Sequence, residues 1–130
     1  MLVVDDEQDA RHLVKALLDE CGCIVTLAGS VAEAMDVLEQ DLPDVLISDI
    51  GMPHEDGYDL IRKVRALPAA SASSLPAAAL TAYARAEDRR RVLGAGYSMH
   101  IPKPVEPSEL IAVVVSLTRF LQRAPDAPAS

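Results

Sequence analysis

Short apolar segments alternate with amphipathic segments along almost the whole chain, and this alternation constrains the possible folds strongly. Five apolar segments have the length of buried strands, and each is followed by apolar residues at helical spacing. The predicted strands are 2–4, 24–28, 45–48, 77–80 and 97–101. The first, third and fourth are nearly continuous apolar runs, as expected of parallel strands covered on both faces. Right-handed crossovers then favour an α/β fold, a doubly wound (βα)5 sandwich with a five-stranded parallel sheet.

The helical segments have residues typical of helix ends. Ser30 and Glu33 have the spacing of a capping box, so we expect them to begin the second helix. The apolar face of the first helix includes Leu13 and Cys21 by its spacing, and we expect both to be buried. Residues 69–74 are small and are predicted to form a loop between the third helix and the fourth strand.

Length and composition restrict the domain organisation and the partners. The chain has 130 residues, which suits one domain over 1–123, followed by a Pro- and Ala-rich tail over 124–130 that we expect to be disordered. The net charge of −8 argues against a surface that binds nucleic acid. No apolar run has the length of a membrane span and no signal peptide is evident, so we expect a cytoplasmic domain without membrane contact. Cys21 and Cys23 have neither disulfide nor zinc spacing, which fits a reducing compartment.

Polar side chains stand at the ends of four predicted strands. Asp5 and Asp6 follow the first strand, Asp49 follows the third, Thr81 closes the fourth and Lys103 follows the fifth. Because the carboxyl ends of parallel strands share one edge of the sheet, we expect these side chains to meet there. Adjacent carboxylates repel one another unless a cation lies among them, and a small set of oxygen ligands suits Mg²⁺. The pattern predicts a Mg²⁺ site that handles phosphate.

Each of these residues also has a local explanation. Acidic residues such as Asp5 and Asp6 stabilise a helix N-terminus, and threonine is common in strands. Lys103 is harder to explain locally, because it lies between two prolines at a strand end with no acidic neighbour. Distant carboxylates as its counter-ions would explain the position, and its bond to Pro104 is a candidate for a cis peptide. Because suitable polar side chains occur at the ends of all four strands, a shared site is favoured over four separate local explanations.

Four segments in this order resemble a response-regulator receiver domain, the phosphoacceptor module of bacterial two-component signalling. The segments are VVDDE, DVLISDIGMPHEDGYDLI, ALTAYA and HIPKPVEPSEL, and the resemblance covers residues 2–123. It is strongest to receivers fused to hybrid sensor histidine kinases. The resemblance implies a flavodoxin-like strand order of 2-1-3-4-5. It also implies a phosphoryl donor, either a histidine kinase or a histidine phosphotransfer protein.

The resemblance assigns an acceptor and a set of metal ligands. Asp49 is the aspartate that would be phosphorylated. Asp6, Asp49 and the backbone carbonyl of Gly51 would ligate Mg²⁺, and Asp5 would act through a water molecule. A carboxylate acceptor would form an acyl phosphate, a reactive anhydride that suits a temporary signal.

The resemblance also assigns a switch. Thr81 and Lys103 would hold the phosphoryl oxygens, and Thr81 and His100 would form the pair that changes position on phosphorylation. The surface made by the fourth predicted helix (86–93), the fifth strand and the fifth predicted helix (107–122) would then be remodelled. Self-association through that surface is one expected outcome. Tyr83, two residues after Thr81, is a candidate to cover the acceptor.

Two other classes of function compete with the signalling module. One is a small Mg²⁺-dependent phosphatase with an aspartate nucleophile, although such haloacid-dehalogenase-type enzymes begin with DxDxT where this chain has Asp5-Asp6-Glu7. The other is a flavodoxin-like nucleotide carrier, which would need a glycine- and hydroxyl-rich phosphate loop after the first strand. The sequence leaves open the cognate kinase, the output and whether the domain turns over a substrate of its own.

Overall fold

The strands and helices alternate as the sequence predicts, with one additional helix. The computed structural model describes residues 1–82 and 85–122, and only the backbone of 119–122. The predicted tail over 124–130 lies outside the described residues. The elements are β1 (Leu2–Val4), α1 (Gln8–Asp19), β2 (Thr26–Ala28), α2 (Val31–Gln40), β3 (Leu46–Asp49), α3 (Gly57–Arg65), α4 (Ala70–Ser73), β4 (Ala77–Thr81), α5 (Ala86–Ala95), β5 (Met99–Pro102) and α6 (Pro107–Gln122).

The five strands form one parallel sheet in the order β2-β1-β3-β4-β5. This confirms the doubly wound fold and the flavodoxin-like strand order. Within β1, Leu2 and Val4 belong to one core and Val3 to the other, because successive side chains of a strand point to opposite faces. Helices α2, α3 and α5 cover the first face, whereas α1 and α6 cover the second. None of the described helices has the length and apolar content needed to cross a lipid bilayer.

Helix α5 is the most weakly buried of the long helices. Of its ten residues, all of which are described, Val92 alone is fully buried. Its outer surface carries several arginines, and the Arg91 guanidinium lies 4.4 Å from the centre of the Tyr58 ring on α3. A cation–π contact of this kind stabilises by about 0.5–1 kcal/mol at an exposed site. Helix α5 therefore packs on the sheet with a small apolar contact at Val92 and contacts α3 through Arg91 and Tyr58.

The structure corrects two predictions about local packing. The predicted loop over 69–74 contains the single-turn helix α4, which alanine favours and which the Ser74 hydroxyl extends by donating to the Ala70 carbonyl at 2.7 Å. Leu13 is 55% exposed and Cys21 is exposed, although helical spacing placed both inward. The buried stripe of α1 is limited to Val14 and Leu18, and Cys21 lies beyond the end of the helix.

The helix cap predicted at Ser30 is present, with one difference in its partner. The Ser30 hydroxyl accepts a hydrogen bond from the Glu33 amide at 3.1 Å, as in a capping box. The Glu33 carboxylate accepts a hydrogen bond from the amide of Gly29 at 2.7 Å. In a capping box the donor would be the amide of Ser30, one residue later. Gly29 thus lies between the end of β2 and the start of α2.

Arg65 on α3 connects two other segments, the one that leads from α4 to β4 and the one that leads from α5 to β5, at the edge of the sheet opposite the strand carboxyl ends. Its guanidinium donates to the carbonyls of Ser73 and Leu75, and twice to the carbonyl of Gly96. Burial lowers the pKa of Arg65. Gly96 has a φ of 126° and ends α5, and a Cβ atom there would lie 3.1 Å from Arg65 Cγ and 3.2 Å from Ile61 Cγ1. The position therefore requires glycine for both its conformation and its space.

The two glycines at the end of α5 should respond to alanine in opposite directions. Gly96→Ala should lower the free energy of unfolding by about 1–3 kcal/mol, since it adds backbone strain and a close contact. Gly94→Ala is the matched control, because Gly94 lies within the helix and a Cβ atom there meets nothing within 4 Å. It should raise the free energy of unfolding by up to about 1 kcal/mol. Urea unfolding of both variants measures this, and effects of equal sign would contradict the assignment.

Candidate functional site

Three carboxylates gather at the carboxyl edge of the sheet, and we call Asp5, Asp6 and Asp49 the acidic cluster. Strands β1 and β3 are adjacent and in register, with Val4 paired to Ser48, so Asp5 and Asp49 follow at the same level. One oxygen from each carboxylate lies within 4.8 Å of the others. Asp5 is 1% exposed and Asp49 is 5% exposed, whereas Asp6 is exposed. The structure thus brings together the three acidic residues that the sequence predicts.

Lys103 provides a positive charge within the acidic cluster. Its ammonium nitrogen lies 2.9 Å from Asp49 Oδ1 and 3.8 Å from Asp5 Oδ2. Partial burial alone would lower the pKa of Lys103, but the hydrogen bond to Asp49 and the charges of both carboxylates raise it above its ordinary value. The lysine therefore stays charged at neutral pH. The peptide bond from Lys103 to Pro104 is cis, and the Lys103 amide donates to the Thr81 carbonyl at 2.7 Å.

Asp5 is the least satisfied member of the acidic cluster. Its Oδ1 accepts a hydrogen bond from the Glu7 amide at 2.9 Å, but its buried Oδ2 accepts none from the part of the chain that the structure describes. Burial and the nearby Asp49 charge raise the pKa of the Asp5 carboxyl, although the hydrogen bond from Glu7 opposes this. A buried carboxylate oxygen without a donor is costly, and a cation would satisfy it.

Thr81 and His100 lie on adjacent strands and are in contact. Thr81 ends β4 and is buried, and one of its contacts joins its Oγ1 to His100 Nε2 on β5 at 2.8 Å. The two residues named as a pair from the sequence are therefore hydrogen-bonded in this structure. Tyr83, the candidate to cover the acceptor, lies outside the described residues.

Gly51 lies in the exposed loop after β3, where its carbonyl was predicted to face a metal. It shares a surface cavity of about 260 Å³ with Thr81, and Tyr58 and Arg91 also line this cavity. The loop returns close to Asp49, since a Cβ atom on Gly57 would lie 2.5 Å from the Asp49 carbonyl oxygen. The cavity reaches from the Gly51 loop and Thr81 to α5.

Two residues that contribute to the site are absent from the sequence-based prediction. The buried hydroxyl of Tyr97 donates to the Gly57 carbonyl at 2.7 Å and so joins the start of α3 to the segment that enters β5. The Arg11 guanidinium on α1 donates to the backbone carbonyl of Asp5. Neither has a sequence signal of its own, because both depend on where a long side chain ends.

This five-stranded parallel fold is that of the receiver domains of response regulators. The family described as the response regulator receiver domain matches residues 1–115. The chain belongs to that family, and the prediction made from the four segments is confirmed. Two-component signalling is the process in which such domains act.

Among curated proteins, the chain is similar to an uncharacterised 14.6 kDa protein of Leptolyngbya boryana, encoded in the sodA1 3′ region. The two are 49% identical over 114 residues, which cover 88% of this chain and 86% of the other. It is also 40% identical over 128 residues to response regulator Rre1 of Synechocystis, covering 98% of this chain and 54% of Rre1. The chain thus spans about half the length of Rre1.

Among solved structures, the chain is similar to the signal receiver domain of a signal transduction histidine kinase from Syntrophus aciditrophicus. The TM-score is 0.84 and the identity is 30%, covering 95% of this chain and 92% of the other. The fold is therefore shared with a receiver domain that belongs to a kinase.

The burial of Asp5 beside Asp49 leads to a prediction about stability. A raised pKa means that the folded protein binds this proton more tightly than the unfolded chain does. The protonated Asp5 carboxyl therefore contributes to the free energy of unfolding at pH values below the aspartate pKa of the unfolded chain. This contribution is lost as the pH rises through the raised pKa of the folded protein. Without added divalent cation, Asp5→Asn should therefore be more stable than the wild type at pH 7. The difference should shrink toward about pH 4, near the ordinary aspartate pKa.

Thermal unfolding of the two proteins across this pH range measures the difference. A gain of about 1 kcal/mol would raise the midpoint by about 4 °C for a domain of this size. Asp36→Asn on the exposed face of α2 is the matched control and should change the midpoint little at any pH. A destabilised Asp5→Asn protein at pH 7 would show that the Asp5 charge is well compensated in the fold.

Proposed function

We propose that the chain is a phosphoacceptor module that receives a phosphoryl group on Asp49 in the presence of Mg²⁺. The donor would be the phosphohistidine of a histidine kinase or of a histidine phosphotransfer protein. The observation that supports this most directly is the Lys103 ammonium, 2.9 Å from Asp49 Oδ1, beside the unsatisfied Oδ2 of Asp5. The module would act in the cytoplasm, where kinases of this type present their phosphohistidine.

The transfer requires little covalent chemistry from the protein. A carboxylate can act as a nucleophile without a general base, so an Asp49 oxygen would form the new O–P bond while the donor N–P bond breaks. The electron pair of the broken bond stays on the donor imidazole, which then takes up a proton. Lys103 would stabilise the charge spread over the phosphoryl oxygens, and positioning supplies most of the remaining rate.

The residues of the acidic cluster fit Mg²⁺ as the cation. They offer carboxylate oxygens, the hard ligands that Mg²⁺ prefers, and Asp5 Oδ2 is buried with no hydrogen-bond donor among the described residues. Asp5, Asp6, Asp49 and the Gly51 carbonyl would hold the ion. When bound, Mg²⁺ supplies positive charge that offsets both the carboxylates and the transferred phosphoryl oxygens.

The hydrogen bond between Thr81 and His100 supports a switch. A phosphoryl group on Asp49 would compete for the Thr81 hydroxyl, and His100 would then change position. His100 also lines a cavity of about 370 Å³ together with Arg89 and Leu93 of α5 and with Val113 of α6. The face formed by α5, β5 and α6 would therefore report the state of Asp49 to a partner or to a second copy of the chain.

Asp49→Asn should abolish phosphorylation while leaving the fold intact. Incubation of the wild type with a small phosphoryl donor and Mg²⁺ should give one labile phosphoryl adduct per chain, measured by intact-mass spectrometry. Asp44→Asn, an exposed carboxylate just before β3, is the matched control and should be phosphorylated normally. Unchanged incorporation in Asp49→Asn would exclude Asp49 as the acceptor. Continuous release of phosphate without an adduct would favour the phosphatase alternative.

Binding of a phosphoryl mimic at Asp49 should be detected at His100. Beryllofluoride with Mg²⁺ should shift the NMR signals of the His100 ring and of the Leu93 and Val113 methyl groups in the wild type. Thr81→Ser keeps a hydroxyl and should retain most of this response, whereas Thr81→Ala should lose it. A His100 ring that does not respond, while the amide of Asp49 shows that the mimic is bound, would contradict the proposed switch.

A further inference from the structure

Arg11 lies on α1 but its side chain reaches back to the loop that carries two residues of the acidic cluster. Its Nη1 donates to the backbone carbonyl of Asp5 at 2.7 Å and lies 3.4 Å from the carbonyl of Asp6. Both acceptors are main-chain atoms, so the guanidinium is hydrogen-bonded to the backbone of this loop. Hydrogen bonds with a charged donor are stronger than those between neutral groups.

The turn after β2 leaves space for this guanidinium because residue 29 is a glycine. A Cβ atom on Gly29 would lie 2.7 Å from Arg11 Nη1, closer than two such atoms can approach, and 3.0 Å from Glu33 Oε2. Both atoms are at the far ends of flexible side chains, which can move aside. A methyl group at residue 29 would therefore displace the guanidinium while its charge stays in the region.

From these contacts we infer that Arg11 is a positioning residue for Mg²⁺. By fixing the backbone of Asp5 and Asp6, it holds their carboxylates where the ion can use them. This matters most for Asp6, which is exposed and whose side chain is not held by burial. The inference rests on the proposed function, since it concerns the same cation site.

Positioning and simple electrostatics predict opposite effects of removing Arg11. A positive charge near a cation site repels the cation, so electrostatics alone predicts tighter Mg²⁺ binding in Arg11→Met. Loss of positioning predicts weaker binding, as when an outer partner of a metal ligand is removed. The sign of the change therefore distinguishes the two explanations.

The test is a Mg²⁺ titration of the unphosphorylated proteins, followed by backbone amide NMR shifts. Arg11→Met should raise the Kd by about tenfold, the low end of the range for such outer partners. Arg11→Lys keeps the charge and one donor group and should restore part of the affinity. Lys15→Met removes a charge one turn further along α1, where Lys15 pairs with Asp19 at 2.6 Å, and should not weaken binding.

Gly29→Ala gives a second route to the same effect without loss of charge. It should weaken Mg²⁺ binding in the wild-type background, because the methyl group displaces the guanidinium. In the Arg11→Met background it should have no further effect, since the contact is already lost. This non-additivity assigns the effect of Gly29→Ala to Arg11.

Amide hydrogen exchange in Mg²⁺-free protein provides a readout independent of the metal. The Glu7 amide, which donates to Asp5 Oδ1, should exchange faster in Arg11→Met while amides in the β3 and β4 core stay protected. Equal or tighter Mg²⁺ binding in Arg11→Met, with unchanged exchange at Glu7, would overturn the inference. A wild-type protein that binds no Mg²⁺ would instead refute the metal site of the proposed function, and this result is seen without any variant.

Discussion

Repulsion between two buried carboxylates is the constraint that organises this site. Asp5 and Asp49 follow adjacent, in-register strands, so the backbone pairing of β1 and β3 forces their side chains together. Lys103 offsets this repulsion unequally, because it hydrogen-bonds Asp49 and lies further from Asp5. The described residues alone therefore leave the acidic cluster with excess negative charge. Excess negative charge of this kind attracts a cation.

The surrounding backbone keeps the acidic groups from relaxing apart. The Lys103 amide is bonded to the Thr81 carbonyl, which fixes the loop after β5 to the end of β4. On the other side, Gly57 brings the start of α3 against the Asp49 carbonyl, and Tyr97 holds it there. These contacts involve main-chain atoms that do not depend on the charges. The fold therefore maintains the repulsion, and the stability predicted for Asp5→Asn measures its cost.

Much of the site could be predicted because the geometry of a parallel sheet determines it. Residues that follow buried strands converge at one edge, so the sequence positions of Asp5, Asp49 and Lys103 were sufficient to predict their proximity. Side chains that act at a distance from their own element could not be predicted. The contact made by Arg11 depends on its side-chain conformation and on the space above Gly29, and neither follows from periodicity.

The errors in the predicted fold also come from contacts that periodicity does not reveal. Helical spacing defines an apolar face, but the width of the buried stripe depends on how neighbouring helices cover it, so Leu13 was wrongly placed inside. The helical turn α4 was missed because four residues are too few to show a period. The additional turn ends at Ser73, and the carbonyls of Ser73 and of Leu75 just after it both accept hydrogen bonds from the Arg65 guanidinium.

The shallow burial of helix α5 makes it easier to displace than the elements around it. The backbone that follows α5 is fixed, because the Gly96 carbonyl accepts from Arg65 and the Tyr97 hydroxyl donates to the Gly57 carbonyl. The helix itself contributes one fully buried side chain, Val92. Sliding or tilting α5 would expose little apolar area, at about 25 cal/mol per Å² uncovered, whereas moving α3 or β5 would break buried hydrogen bonds. Among the long helices of the described chain, α5 is therefore the one whose displacement costs least while the sheet stays rigid.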